Sequence, residues 1–509
     1  MVSLIDSNNL LTSANGFVNY GSTNRTSTPA ARRQIGVFSA MFIIFNRIIG
    51  TGVFATPSMI LGLSGSVGFS LVMWVLGAVI AAAGMQVYII WGTALPHNGG
   101  EKNYLEFLFP RPKRLITSMY AANAVLMAYA AGNTLVFAEY FLLSISPPPS
   151  APAPIMTTFT SYVQFTAFLC ITLVLLLHGL HLKWGLRIQN LLGVLKIGVL
   201  LAVVATGFAA LGGKLQPDVE QPRNFESWEG IWRGSKFGGS EICLGLYNVI
   251  WSYVGFSNAN YALSEVHNPS RTLRVAGPMA IALVTVLYLL ANISYLAGVS
   301  QAEITGSGRL VAALLFRNVW GERAERVLAA GVAMSALGNV LSVSFSQGRV
   351  NQELGKEGIL PFSKFWASSW PRNAPLTGLG LHWAVCLIVI LCLPAGDAYN
   401  FVINVVSYPL AIINAAISFG LIYLTFRPSA TTSHMFKRTL SLVLPSLFFG
   451  SANVFLFLAP LAKPPPGAEP YEHLPYWTHA LAGWAVFGLG VGWWWFREPI
   501  EEKVGGVRL

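Results

Sequence analysis

The sequence predicts an all-α polytopic membrane protein with twelve transmembrane helices, and three observations carry that prediction. Hydrophobic residues fill 54% of the 509 positions and charged residues only 10%, where a soluble domain carries about 25% charged residues. The mean hydropathy of +0.57 is too high for a disordered chain, which would be polar, and leaves more apolar mass than a soluble core can hide. Apolar runs of about 20 residues, the length that spans a bilayer, recur along the chain without the ten-residue alternation of a membrane barrel. A water-soluble enzyme is excluded.

The elements follow in order. Residues 1–34 are rich in Ser, Thr and Asn and lack the apolar region of a cleaved signal peptide, so they read as a disordered cytoplasmic tail. Ten spans follow, at 35–61, 66–91, 115–143, 158–178, 185–211, 240–264, 275–299, 325–347, 376–394 and 397–426. Segment 427–497 adds two more, at 440–461 and 476–497, and 498–509 forms a second short tail. Lys and Arg concentrate in the tails and in alternate loops, which puts both termini in the cytoplasm. The net charge of +11 belongs to those loops beside anionic lipid, and no basic run suggests nucleic acid. Cys170, Cys243, Cys386 and Cys392 sit in or beside apolar runs without CxxC spacing, so neither a disulfide framework nor zinc is implied. His97, His178 and His181 lie near span ends and read as interfacial polar residues; with no HExxH, no metal or cofactor is expected.

Two spans are interrupted. The first reads FNRIIGTGVFATPS over 45–58, with Gly50 and Gly52 flanking Thr51 at mid-membrane and Pro57 following. The sixth reads IWSYVGFSNANY over 250–261, with Gly255 among Ser252, Ser257, Asn258 and Asn260. Such stretches weaken a helix, and broken backbone at membrane depth persists only where it is buried or lines a cavity. A break leaves carbonyls at the end of one half-helix and N–H groups at the start of the next. Those two ends suit an ammonium and a carboxylate on one carbon. Breaks that lead two successive five-helix halves point to an inverted-repeat transporter, with 35–426 as its ten-helix core.

The segments IIGTGVFATPS, NGGEKNYLEF (98–107) and RIQNLLGVLK (187–196) resemble L-type amino acid transporters of the amino acid–polyamine–organocation superfamily. The blocks over 251–273, 335–362 and 396–410 are similar to its fungal high-affinity methionine permease branch. The resemblance implies a five-plus-five inverted repeat, two additional C-terminal helices and uptake of a free L-amino acid at the plasma membrane. It places the substrate carboxylate at the N–H groups and hydroxyl around Thr51 and Gly52. The ammonium then meets carbonyls of Ile48, Ile49, Trp251, Ser252 and Gly255, with Trp251 as an aromatic gate. Animal relatives join a glycoprotein through a Cys in the third outer connector; residues 144–157 contain none, so no disulfide-linked heavy chain is expected.

Arg47 and Lys196 lie about 18 Å inside their spans, too deep to snorkel, and such charges are functional candidates. Arg47 equally suits a structural pin on helix carbonyls. Lys196 matches the fifth-span lysine of related carriers, which resembles a substitute for sodium between the first and eighth spans; Ser342 and Ser344 are its expected partners. A buried lysine can release its proton whereas a guanidinium cannot. Glu139, in the outer half of the third span, is a second proton-carrier candidate or simply a satisfied acceptor.

The reading is a proton-coupled permease for a neutral L-amino acid, with methionine named by resemblance. Neither break carries Asp or Glu, which a cationic substrate would favour, and Trp251, Tyr253 and Phe256 suit an apolar or thioether side chain. The alternatives are a broad neutral amino-acid or amine permease and a nutrient receptor using the same pocket. A membrane-embedded enzyme would need a catalytic constellation, and no such motif appears.

Overall fold

The computed structural model describes residues 36–503 apart from 97–98, 146–152, 259, 261–262, 264–265, 371–373, 393–396, 427–435, 437–438 and 465–468. The N-terminal tail, half of the Pro-rich segment 144–157 and the end of the C-terminal tail therefore lie outside the described residues.

The first span is three pieces: α1 (Val37–Ile48), α2 (Gly52–Ala55) and α3 (Pro57–Ser64), the last opened by a proline in the first turn and closed by Gly65 in the left-handed region. Next come α4 (Val67–Ala94) and the short α5 (Glu101–Leu108). The third span is divided into α6 (Leu115–Met127) and α7 (Ala131–Ile145), a break the sequence did not announce. The hairpin α8 (Ala153–Leu180) and α9 (Leu182–Leu211) leads through the short helix α10 (Trp228–Trp232) to α11 (Gly239–Tyr253). α11 stops at the sixth-span break and α-helix resumes only at α12 (Pro269–Gly298). Then come α13 (Gln301–Gly306), α14 (Val311–Trp320), α15 (Glu322–Lys356), α16 (Ser363–Trp366), α17 (Leu376–Cys392) and α18 (Ala398–Phe426). The chain closes with α19 (Leu440–Leu458) and α20 (Thr478–Lys503).

Among the described residues, nine helical stretches are long and apolar enough to cross a membrane. The sixth, ninth and twelfth expected spans fall outside that set. α11 ends after 15 residues at its break, α17 has 17 residues, and α20 ends in the polar run REPIEEK. The protein is a multi-pass, all-helical membrane protein. α4 illustrates why: Met73, Trp74 and Ile80 are buried while Val72, Val75 and Val79 are exposed, so both faces are apolar.

Glycines sit where helices touch. A Cβ at Gly207 would meet Ser294 of α12, and one at Gly490 would meet the backbone of Met119 in α6. The last helix also ties two loops through indole N–H groups, from Trp493 to the Ile359 carbonyl (2.6 Å) and from Trp494 to the Lys113 carbonyl (2.9 Å). On the opposite face, buried Asp397 accepts backbone hydrogen bonds from Glu472, His473 and Leu474 at 2.7, 2.8 and 3.1 Å. The start of α18 and the segment before α20 are thereby joined.

Candidate functional site

The breaks meet at mid-height and their glycines are the contact. A Cβ on Gly52 would lie 2.6 Å from Ser252 Cα, and one on Gly50 would lie 1.9 Å from Asn339 Nδ2. Gly255 has φ +125°, and a Cβ there would meet Arg47 Cγ at 2.6 Å. The sequence reading gave Gly52 the task of letting a carboxylate approach the backbone. Its neighbour is instead Ser252, so the glycine first permits the two broken helices to touch. Thr56 reinforces the junction, its Oγ1 lying 3.1 Å from Ser252 Oγ.

A cavity of about 950 Å³ begins at this junction. Ile48, Gly50, Thr51, Gly52, Trp251 and Gly255 line it, as does Arg47. It runs to Glu101 and Lys102 of α5 and to Glu353 and Glu357 at the end of α15, where Lys102 pairs with Glu357. The cavity thus opens toward the face that carries α5 and the α15 C-terminus.

Three expected substrate residues do not line it. Ile49 is turned toward α9: its carbonyl accepts Lys196 Nζ at 2.9 Å. Ser252 packs on Gly52 and gives its carbonyl to Tyr288. Tyr253 faces away, against Trp74 and Tyr288 at ring separations of 6.5 and 5.3 Å. Tyr288 is a residue the sequence reading missed; its hydroxyl lies 3.0 Å from both the Ile48 and the Ser252 carbonyls and straddles the breaks. A single tyrosine in an apolar span gives no sign of that duty. Two asparagines were missed for the same reason. Asn339 Oδ1 accepts Arg47 at 2.9 Å, and Asn133 Oδ1 accepts the Thr51 hydroxyl at 2.6 Å.

Lys196 is buried and donates to the carbonyls of Asn46 and Ile49, at 3.0 and 2.9 Å. Its expected eighth-span partners are displaced along that helix. A Cβ on Gly338 would touch Leu192 and one on Gly331 would touch Val199, so the α15 position level with Lys196 is near 335. Ser335 stands there, buried; its Oγ, like that of the buried Ser344, has no partner among the described residues. Ser342 and Ser344 lie seven and nine residues on, about 10 and 14 Å along the axis at 1.5 Å per residue. The register of two antiparallel helices decides this, and one sequence does not contain it. His178, expected at the interface, is buried with Nε2 3.1 Å from the Leu341 carbonyl.

The opposite end of the site is sealed. The rings of Trp251 and Tyr399 both lie against Gly132 of α7. The Arg309 guanidinium sits 4.9 Å above the Tyr399 ring and forms a two-bond ion pair with Glu139, Nε to Oε2 at 2.7 Å and Nη2 to Oε1. Tyr140 adds a hydrogen bond of 2.8 Å to the Arg309 carbonyl. Glu139 is therefore a satisfied acceptor in this conformation.

Comparison with known proteins places this geometry. Residues 35–487 match the family model described as amino acid permease. The chain belongs to that family. It is 43% identical to the high-affinity methionine permease of Saccharomyces cerevisiae over 488 residues, 95% of this chain and 83% of that one. The low-affinity methionine permease of the same yeast is 32% identical over 74% of this chain and 67% of its own length. The b(0,+)-type amino acid transporter 1 of Rattus norvegicus is 27% identical over 86% and 84%. The protein is accordingly an amino acid transporter of the permease type and not an enzyme.

Proposed function

We propose that this permease takes up a neutral L-amino acid, methionine first among them, across the plasma membrane by alternating access. The observation that carries the reading is a cavity that ends on two facing helix breaks, in a chain 43% identical to a methionine permease. Free N–H groups at the start of α2 and the unwound backbone near Trp251 and Gly255 suit the charged ends of the substrate. Nonpolar lining from Met127, Val343, Val406 and Leu410 suits a thioether side chain.

In this reading the chain has twelve spans, a five-plus-five inverted repeat with broken first and sixth helices, two further C-terminal helices and cytoplasmic termini. The face bearing α5 and the α15 C-terminus is then the cytoplasmic one, and the conformation described is open inward and closed outward. Protons are the coupling ion. Lys196 is placed to report its charge state to the first-span break through Ile49, with Ser335 on the other side. Arg47 holds Asn339 and abuts Gly255, and acts as a pin between the breaks. The test is uptake of labelled methionine by cells that lack their own methionine carriers, with each other amino acid as competitor. Saturable uptake competed best by methionine supports the reading. Equal competition by many neutral amino acids replaces it with a broad permease, and binding without uptake replaces it with a receptor.

A further inference from the structure

Asn133 is absorbed by neither the breaks nor the coupling residues, yet it lines the cavity at the level of Thr51. It stands in α7, three residues past the third-helix break, with a side chain almost wholly buried in protein. Its neighbour Gly132 carries the Trp251 ring. Asn133 is thus the point where the third span reaches the meeting place of the first and sixth.

The hydrogen bond to Thr51 fixes which way its carboxamide faces. At 2.6 Å the contact has the length of an O–H···O bond and is short for N–H···O. Thr51 therefore donates and Asn133 Oδ1 accepts. Two consequences follow. The Thr51 hydroxyl has spent its one proton, so it has only lone pairs left and has no proton for a carboxylate. The Asn133 amide NH₂ turns the other way, and among the described residues nothing accepts from it. An amide donor that opens on a substrate cavity is met there by an acceptor on the ligand or by water.

Resting on the amino-acid reading above, we infer that Asn133 Nδ2 is a carboxylate-recognising donor of this permease, standing beside the free N–H groups of the first-span break. Thr51 orients that amide rather than binding the carboxylate itself. The site then selects amino acids over amines through a side chain on the third span as well as through backbone.

The experiment uses the full-length protein and labelled methionine uptake, with surface abundance measured for every variant. Two competitors separate the groups: methioninol, which lacks the carboxylate, and 3-(methylthio)propanoate, which lacks the ammonium. Asn133→Leu removes the donor at similar volume and should raise the KM for methionine about tenfold to a hundredfold, the loss expected for a hydrogen bond to a charged group. Inhibition by methioninol should weaken far less, by under about fivefold, because its neutral hydroxyl accepts a weaker hydrogen bond than a carboxylate does. Asn133→Asp keeps the shape, repels the carboxylate, and should shift competition toward methioninol. An Asn133→Leu variant that weakens methionine and methioninol equally, or that leaves methionine uptake unchanged, overturns the assignment. So does selective loss of methioninol, which would mean that the amide oxygen faces the ligand. Should the wild type prefer another amino acid, that substrate and its amino alcohol replace the methionine pair. Failure of the methionine reading and failure of the Asn133 assignment are thus read separately.

Discussion

The two ends of the translocation site are built from opposite materials. On the sealed end a bidentate ion pair, Arg309 with Glu139, rests on the Tyr399 ring, with side chains only 22% and 12% exposed. On the open end Lys102 pairs with Glu357 at the mouth of the cavity, with side chains 13% and 44% exposed, so that only the carboxylate meets water freely. Geometry is similar in kind, but solvent decides what each contributes. Removing one partner of a desolvated pair leaves an uncompensated charge, whereas an exposed pair contributes little. The comparison teaches that the sealed end is held by a two-bond pair out of water, whereas the open end rests on a single contact whose carboxylate is half in water.

Substitutions at the pivot and at both ends break or sharpen that comparison. The largest effect is expected at the pivot between the ends. Gly52→Val should abolish uptake with the protein still at the surface, since its Cβ would enter Ser252. Partial recovery in Gly52→Val with Ser252→Gly would sharpen the packing account, and normal uptake in the single variant would remove the junction from the mechanism.

At the sealed end, Arg309→Gln should slow uptake about tenfold, equivalent to roughly 1.4 kcal/mol, a part of the cost of leaving the Glu139 carboxylate without its partner. Combining it with Glu139→Gln should restore part of the rate; strictly additive losses in the double variant would refute the pairing. Lys196→Ala should slow uptake severalfold and change its dependence on external pH, and Ser335→Ala should act in the same direction more weakly. Rates measured across a pH series decide, and an unaltered profile would make Lys196 structural. At the open end, Lys102→Gln should change uptake by less than about twofold, and a larger loss in a matched uptake assay would erase the contrast between the two ends.

Much of this architecture was legible in the residues. GTG in the first span and Gly255 amid polar residues in the sixth announced the breaks, because glycine and hydroxyls at membrane depth need a reason. The third break was silent. Its sequence, LMAYAAG, has neither proline nor a polar cluster, and the interruption between Met127 and Ala131 emerges only when α6 packs on α20 and α7 on α15. Tyr288, Asn133 and Asn339 stayed hidden because each is a lone polar residue on an apolar helix, and its partner is fixed by helix register. Ser335, level with Lys196 on the neighbouring helix, went unnoticed for the same cause. Composition tells which helices cross the membrane, but not which residues of neighbouring helices stand level.

The carboxylate of Asp397 carries a consequence for the boundaries of this machine. The residues that line the cavity come from the chain up to α18, and the last two helices look like an appendix that engineering might trim. Yet the backbone amides that satisfy Asp397 come from residues 472–474, inside the appended part. A chain cut after α18 would strip that carboxylate of three donors at the very start of its final helix. The appendix is therefore part of the foundation, and a minimal version of this carrier must either keep it or first rewrite position 397.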